Sequence, residues 1–279
     1  MSPLFDRKRN VDYAVGLLRA LLGAMIFALP LLMTQEMWEL GAAMDRTRLA
    51  LLLALTLPAL VALSFYAGFE KTFSLVDNVL DAFAVVAVSA ISCLLVLMVF
   101  GEIAPGMSIS SIAGKLALLC FAASIGALLA NKQFNDSGAE DRKEERRHRR
   151  SFFWRLFISG VGAIFLALNI APTGEVEIIA SAMTPLQAGL LACISVAALH
   201  VILTAIDQEE HETVAGRFVR RTLSNYGLCL VLCWYILWSF SRLDGMSLSG
   251  SVERVIVLAF PAALGAGAAR LILGARPDE

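Results

Sequence analysis

The residues best placed to do chemistry are acids and hydroxyls that recur at one spacing. Thr34 and Glu36 return as Thr173 and Glu175, 139 positions later (173 − 34), beside Pro30 in one case and Pro172 in the other. Two carboxylates brought together at a membrane surface would draw cations into an outer vestibule, with Glu39 and Glu102 adding to the field. The same residues also suit anchoring: Thr34 or Thr173 would cap a helix, and Trp38 would sit in an interfacial aromatic belt. A second set lies within apolar runs, where ionisable groups are costly: Arg19, Asp77, Asp81 and His200. Asp77 and Asp81 are four apart and share a helical face, so Arg19 could pair with Asp81, or could snorkel to the headgroups instead. His200 reads either as a hydrogen-bonding side chain within the helices or as a proton relay. The sequence has no CxxC motif, no His-rich metal motif and no nucleophile with an adjacent base, so neither an enzyme nor a cofactor or metal is expected.

The elements that must position these residues follow from composition. The chain is 58% apolar and 17% charged, its mean hydropathy is +0.73, and its apolar residues fall in long runs. That is the profile of a polytopic membrane protein. Spans are expected at Val11–Met33, Leu49–Phe69, Val79–Gly101, Ile112–Ala130, Phe152–Ala171, Pro185–Ile206, Leu223–Phe240 and Val255–Leu273. Each is near the ~20 residues needed to cross a ~30 Å hydrocarbon core, and helix is the state that satisfies their backbones in lipid. The first span follows a basic start, like a signal peptide, but is too long for one and is read as retained. Cys93, Cys120, Cys193, Cys229 and Cys233 all fall in these runs and read as small apolar helix residues.

Charge gives the orientation. With the N-terminus inside, only Arg46, Arg48, Lys115, Arg242 and Arg254 of the 23 Lys and Arg face outward, which predicts both termini in the cytoplasm. The formal net charge of −1 gives no bias toward nucleic acid.

A near-duplication organises the whole. GMSISSIAGKLALLCFAASIGALLAN begins at Gly106 and GMSLSGSVERVIVLAFPAALGAGAAR at Gly245, again 139 apart (245 − 106). The same offset aligns Gly23 with Gly162, Ala28 with Ala167 and Met44 with Met183, whereas the third helix aligns only in hydrophobicity. The expected fold is therefore all-α: eight transmembrane helices as two four-helix repeats of parallel topology, related by a pseudo-two-fold along the membrane normal. Residues 1–131 form the first repeat, 132–151 a charged cytoplasmic linker and 152–279 the second. Ala122, Gly126 and Ala130, and likewise Pro261, Gly265 and Ala269, make small-residue stripes for close helix packing, against each other if the axis runs there. Ser108 or Ser110, and Ser247 or Ser249, are expected helix N-caps, with Gly106 and Gly245 in turns.

The linker carries Arg146, Arg147, Arg149 and Arg150, with Glu145 four before Arg149. It reads as a helical lead-in that either anchors the chain on its basic side or meets anionic lipid or a partner. A second cytoplasmic loop, Asp207 to Glu212, is acidic and reads as a solvated loop or a divalent-cation site.

The run Pro30-Leu31-Leu32-x-Thr34-x-Glu36-Met37-Trp38, after a first helix with Arg19, resembles an uncharacterised bacterial family of integral membrane proteins of unknown function. The resemblance implies a bacterial inner-membrane protein and adds no activity or catalytic residue. On fold-level analogy, the leading expectation is a transporter or channel for a small ion or solute, with a path between the repeats. The rival is a non-transporting scaffold or sensor that works through the basic linker. Oligomers are compatible with either.

Overall fold

A computed structural model describes residues 7–67, 75–134, 152–206, 216 and 218–274. Every regular element in them is helical. The acidic loop, all but the first residues of the linker, and the side chain of Arg19 lie outside the described residues. The chain divides into two compact units, Met1–Asp136 and Ser137–Glu279.

In the first unit, α1 (Arg7–Leu32) is followed by the short α2 (Gln35–Ala43), then by α3 (Arg46–Ala67), α4 (Leu75–Val99) and α5 (Ile109–Phe134). In the second, α6 (Phe152–Ile170) precedes the short α7 (Glu175–Ala182) and α8 (Pro185–Ile206). A π-helical turn, Phe218–Leu223, then leads into α9 (Ser224–Ser239), and α10 (Leu248–Gly274) ends the unit. Seven helices among the described residues are long and apolar enough to cross a membrane, with windows in α3, α4, α5, α6, α8, the π-turn with α9, and α10. The first expected span lies in α1, many of whose side chains are outside the described set.

The last helix of each unit is its core. α5 packs on α1, α2, α3 and α4; α10 packs on α6, α7, α8 and α9. All residues from Leu118 to Leu128 are buried, because small side chains along α5 let neighbouring backbones come close. The other long helices bury one side and leave large apolar residues bare, such as Leu80, Phe83 and Leu95 on α4 and Leu186, Ile194 and Val201 on α8. In water this much exposed hydrocarbon would drive association; in a bilayer it is the surface lipid solvates. Cys93, Cys120, Cys229 and Cys233 are buried free thiols, while Cys193 is an exposed one.

The small-residue stripe of α10 is used inside its own unit, against α6. A Cβ on Gly265 would run into the Gly162 carbonyl, and a Cβ on Gly162 would meet both the Gly265 carbonyl and the Ala269 methyl. The corresponding stripe residues Ala122 and Gly126 are buried in α5, and Ala130 lies on the same helix with its side chain outside the described set. In the first unit a further glycine crossing joins α2 to α5, where Gly41 and Gly114 leave no room for side chains between backbones.

Turns at the ends of α4 and α9 set the register. Helix α4 ends as Glu102 N–H donates to Leu97 O (2.9 Å) and Gly101 N–H to Met98 O (3.1 Å); α9 ends as Arg242 N–H donates to Leu237 O (2.9 Å) and Ser241 N–H to Trp238 O (3.1 Å). Both close with a left-handed residue, Gly101 at φ 77° and Ser241 at φ 59°, the usual way to satisfy the last carbonyls of a helix. These equivalences are 140 apart (241 − 101), not 139. At that offset Cys93 meets Cys233 and Leu97 meets Leu237, all four fully buried. An offset of 140 pairs these positions of the third helices where 139 does not, the second loop being one residue shorter before Gly245. Beyond that loop Ser108 Oγ accepts from Ser111 N–H (3.1 Å) and Ser247 Oγ from Gly250 N–H (3.2 Å), as the N-cap reading requires. Gly106 and Gly245 hold positive φ of 95° and 73°.

The second long helices also start alike. Asp45 Oδ1 accepts from Thr47 and Arg48 N–H (2.9 and 3.0 Å). At the matching place, Thr184 Oγ1 accepts from Gln187 N–H (3.3 Å) while Gln187 Oε1 accepts from Thr184 N–H (2.8 Å), a capping box in function.

Candidate functional site

The sequence-predicted acids sit at helix starts. Glu36 is in the first turn of α2 and Glu175 in the first turn of α7, both exposed, where a carboxylate complements the positive end of the helix. Thr34 precedes α2 but does not cap it: its hydroxyl donates back to the Pro30 carbonyl. The Thr173 hydroxyl lies between the Ile170 carbonyl, 2.7 Å away, and the Glu175 carboxylate. The polar Thr173 hydroxyl is the chief reason that carboxyl is held below the usual carboxylate range. Trp38 donates Nε1–H to Leu32 O (2.9 Å) and leans on Phe100. It thus ties α2 to the end of α1.

Close to these acids lie ion clusters that a search for identical residues passes over. In the first unit Lys115, on the second turn of α5, is 6% exposed at its side chain and bonds the Glu102 carboxylate at 2.8 Å and the Glu102 carbonyl at 3.1 Å. In the second unit Arg254 holds the same place on α10. It bonds the Arg242 carbonyl, and with Arg242 it shares the Glu177 carboxylate at 3.3 and 3.2 Å. Arg242 also reaches the Pro172 carbonyl, tying the α6–α7 corner to the α9–α10 loop. Lys115 and Arg254 match at 139 and Glu102 and Arg242 at 140, so the loop residue has changed sign between units. Glu177, at the position of Trp38, restores the missing carboxylate.

At the opposite end of the second unit is the polar cluster with most chemical potential. His200 Nδ1 lies 2.8 Å from Thr222 Oγ1, in the π-turn, and its ring meets Phe218 edge-on at 5.1 Å. Arg221, Thr222 and Asn225, on one stretch of helix, are buried; the Asn225 amide donates to the Arg221 carbonyl, and its Oδ1 has no partner among the described residues. The π-turn explains the convergence: one extra residue in a turn rotates the rest of the helix and frees backbone groups, a device common at functional positions. Of the sequence-predicted intramembrane residues, His200 thus stands in a polar cluster. Asp81 is buried in α4 and engaged, Asp77 is exposed one turn earlier, and Arg19 lies in α1, which packs against α4. At offset 140 Asp81 corresponds to Arg221, so both units bury a charge at that place on the third helix. Nothing in either charge alone marks the equivalence; it comes from the loop register.

A family model described as "Putative integral membrane protein (DUF2391)" matches residues 16–273. The chain belongs to this family. No curated protein and no solved structure matches it. Membership of this family and the apolar helices agree: the chain is an integral membrane protein. The matched range reaches from α1 to α10, so the His200 cluster and both loop ion networks belong to the family domain. Among the described residues, no group of three His, Cys, Asp or Glu stands together as a metal site.

Proposed function

We propose that the chain is an eight-span protein of a bacterial inner membrane, made of two copies of one four-helix unit that cross in the same direction. It moves a small ion or solute, without enzymatic chemistry, through polar groups held within its helices. The shared element order, long, short, long, long, long, supports the repeat, and four crossings per copy return the chain to its starting side. α1, at 26 residues and about 39 Å, supplies the eighth span. The basic residues of the linker and N-terminus support their cytoplasmic placement.

The observation that carries transport is the His200–Thr222 pair beside buried Arg221 and Asn225. Polar groups inside a membrane domain are expensive and mark substrate or ion pathways far more often than they mark stability. A hydroxyl, an imidazole and an amide oxygen together can replace part of a hydration shell.

The test is flux of monovalent cations, anions and protons through purified protein in liposomes. Wild type should conduct at least one of these, and His200→Ala and Thr222→Val should cut that flux about tenfold, one hydrogen bond's order of effect on a barrier. Glu36→Gln and Glu175→Gln, at exposed helix starts, should change it less. No flux of any of them would sink this reading and favour a scaffold acting through residues 140–150.

A further inference from the structure

The two units wind the start of their third long helix differently. In the first, α4 is α-helical throughout Leu75–Val99. In the second, Phe218–Leu223 is a π-turn, although its counterpart at offset 140, residues 78–83 (218 − 140 and 223 − 140), lies within that regular helix. The preceding helix also lies differently. α3 packs directly on α4, whereas α8 meets the π-turn and scarcely touches α9 beyond it. Between Ala192 of α8 and Val231 and Trp234 of α9 there is an apolar groove of about 810 Å³.

One set of side chains goes with both differences. A π-turn is rare except as a single turn set into an α-helix, so something must hold it. Here Phe218 and Thr222 both face α8: Thr222 Oγ1 lies 2.8 Å from His200 Nδ1, and Phe218 meets the imidazole edge-on at 5.1 Å. Within the turn the Asn225 side-chain amide donates to the Arg221 carbonyl. In the first unit Val61 takes the place of His200 at offset 139, and Ala82 and Val85 take those of Thr222 and Asn225 at offset 140. None of the three has a side-chain donor or acceptor, so neither bond can form there. The unit with these bonds has the π-turn and holds its two helices apart; the unit without them is α-helical and closed.

We propose that the π-turn is a two-state latch. The second unit also adopts the winding of the first, with Phe218–Leu223 α-helical, Thr222 off His200 and α8 against α9, and the His200–Thr222 bond holds the open state. Taking one residue out of the turn rotates what precedes it by about 100°, which carries Phe218 off the imidazole. The inference rests on the repeat reading and not on transport; where the His200–Thr222 pair carries an ion, the latch is its gate.

The test measures distances between paired spin labels on the full chain in liposomes, with all five native cysteines replaced. One pair, at Ala192 and Val231, spans α8 and α9. The control pair, at Leu53 and Ile91, holds the equivalent places on α3 and α4 (192 − 139 and 231 − 140). The control should give one short distance and the α8–α9 pair a longer one. Thr222→Ala, which supplies the first unit's residue, should raise the ratio of short to long about fivefold, the loss of one hydrogen bond. Thr222→Ser keeps the bond and should keep the wild-type distribution. Deletion of Val219, an exposed residue of the turn, removes the extra residue and should leave the short distance alone. Each variant is checked for helicity and a single elution peak. With a short control, an α8–α9 distance that stays long in folded Thr222→Ala or after the Val219 deletion overturns the latch and leaves the repeat standing, as does an equal shift in Thr222→Ser. A control no shorter than the α8–α9 pair overturns the repeat reading from which the closed state is drawn.

Discussion

The loop ends of the two units pose the same problem with opposite charges. Each places a cation on the second turn of its core helix, Lys115 on α5 and Arg254 on α10, and each binds that cation to a carbonyl of the preceding loop. The first unit finds the carboxylate in the loop itself, at Glu102. The second has Arg242 there and draws the carboxylate from α7, at Glu177, so that one acid serves two arginines. Both units have a cation tied to the loop; the residues that do the tying differ. The difference also gives the units different stakes. Lys115 is nearly buried and has one carboxylate to itself, whereas Arg242 and Arg254 are more open and share one.

The largest expected effect lies beneath both clusters, where the units are most alike. Gly265→Leu puts a side chain into the Gly162 carbonyl and should cost about 3 kcal/mol or more, seen as a large drop in the thermal midpoint in detergent. Gly126→Leu, at the equivalent place on α5, should do comparable damage; a wild-type midpoint there would separate the packing of the two units. Next comes Glu102→Gln, which leaves the nearly buried Lys115 without a counter-charge, held only by the carbonyl of residue 102, and should cost about 3 kcal/mol. Glu177→Gln should cost nearer 1 kcal/mol, since Arg242 and Arg254 are more open than Lys115 and pairs nearer solvent contribute less. Equal losses would remove the distinction drawn between buried and open clusters. Gly101→Ala forces an L-residue into the left-handed turn that Ser241 already occupies in the second unit, and should cost about 1 kcal/mol.

The smallest effect is acid-dependent. The Arg48 N–H first of all holds the Asp45 carboxyl below its usual range, as the Thr173 hydroxyl does for Glu175. A carboxyl lowered on folding adds stability above its unfolded value, about 4, and that contribution is lost as pH falls through the folded value. A slight fall in thermal midpoint below about pH 4 is expected, reduced in Asp45→Asn and in Thr173→Val.

Much of the fold was legible because membrane helices announce themselves by length and apolarity. The caps at Ser108 and Ser247 and the glycine turns at Gly106 and Gly245 were legible for local reasons, since each depends on residues within a few positions. The short helices α2 and α7 were foreseen only as something Thr34 or Thr173 would cap, without bounds, being too short to show a period. The correspondence of α4 with α9 was hidden by a single missing residue in a loop. The ion clusters were hidden more deeply. Glu102 and Arg242, or Trp38 and Glu177, share no chemistry, and only their common place in the fold shows that one set replaces the other. Conversely, the identical Thr34/Thr173 and Glu36/Glu175 stand at exposed helix starts, which is what repeated turn geometry alone would preserve.

The most direct test of the parallel repeat is accessibility of the two loops. In a version with all five cysteines replaced, single cysteines at Ala104, Asp244 and Ser137 would be challenged in intact cells with a membrane-impermeant maleimide. The account predicts labelling at positions 104 and 244 and none at 137 until the membrane is opened. Labelling of 104 and 244 from opposite sides would contradict it, since the two units would then cross the membrane in opposite directions.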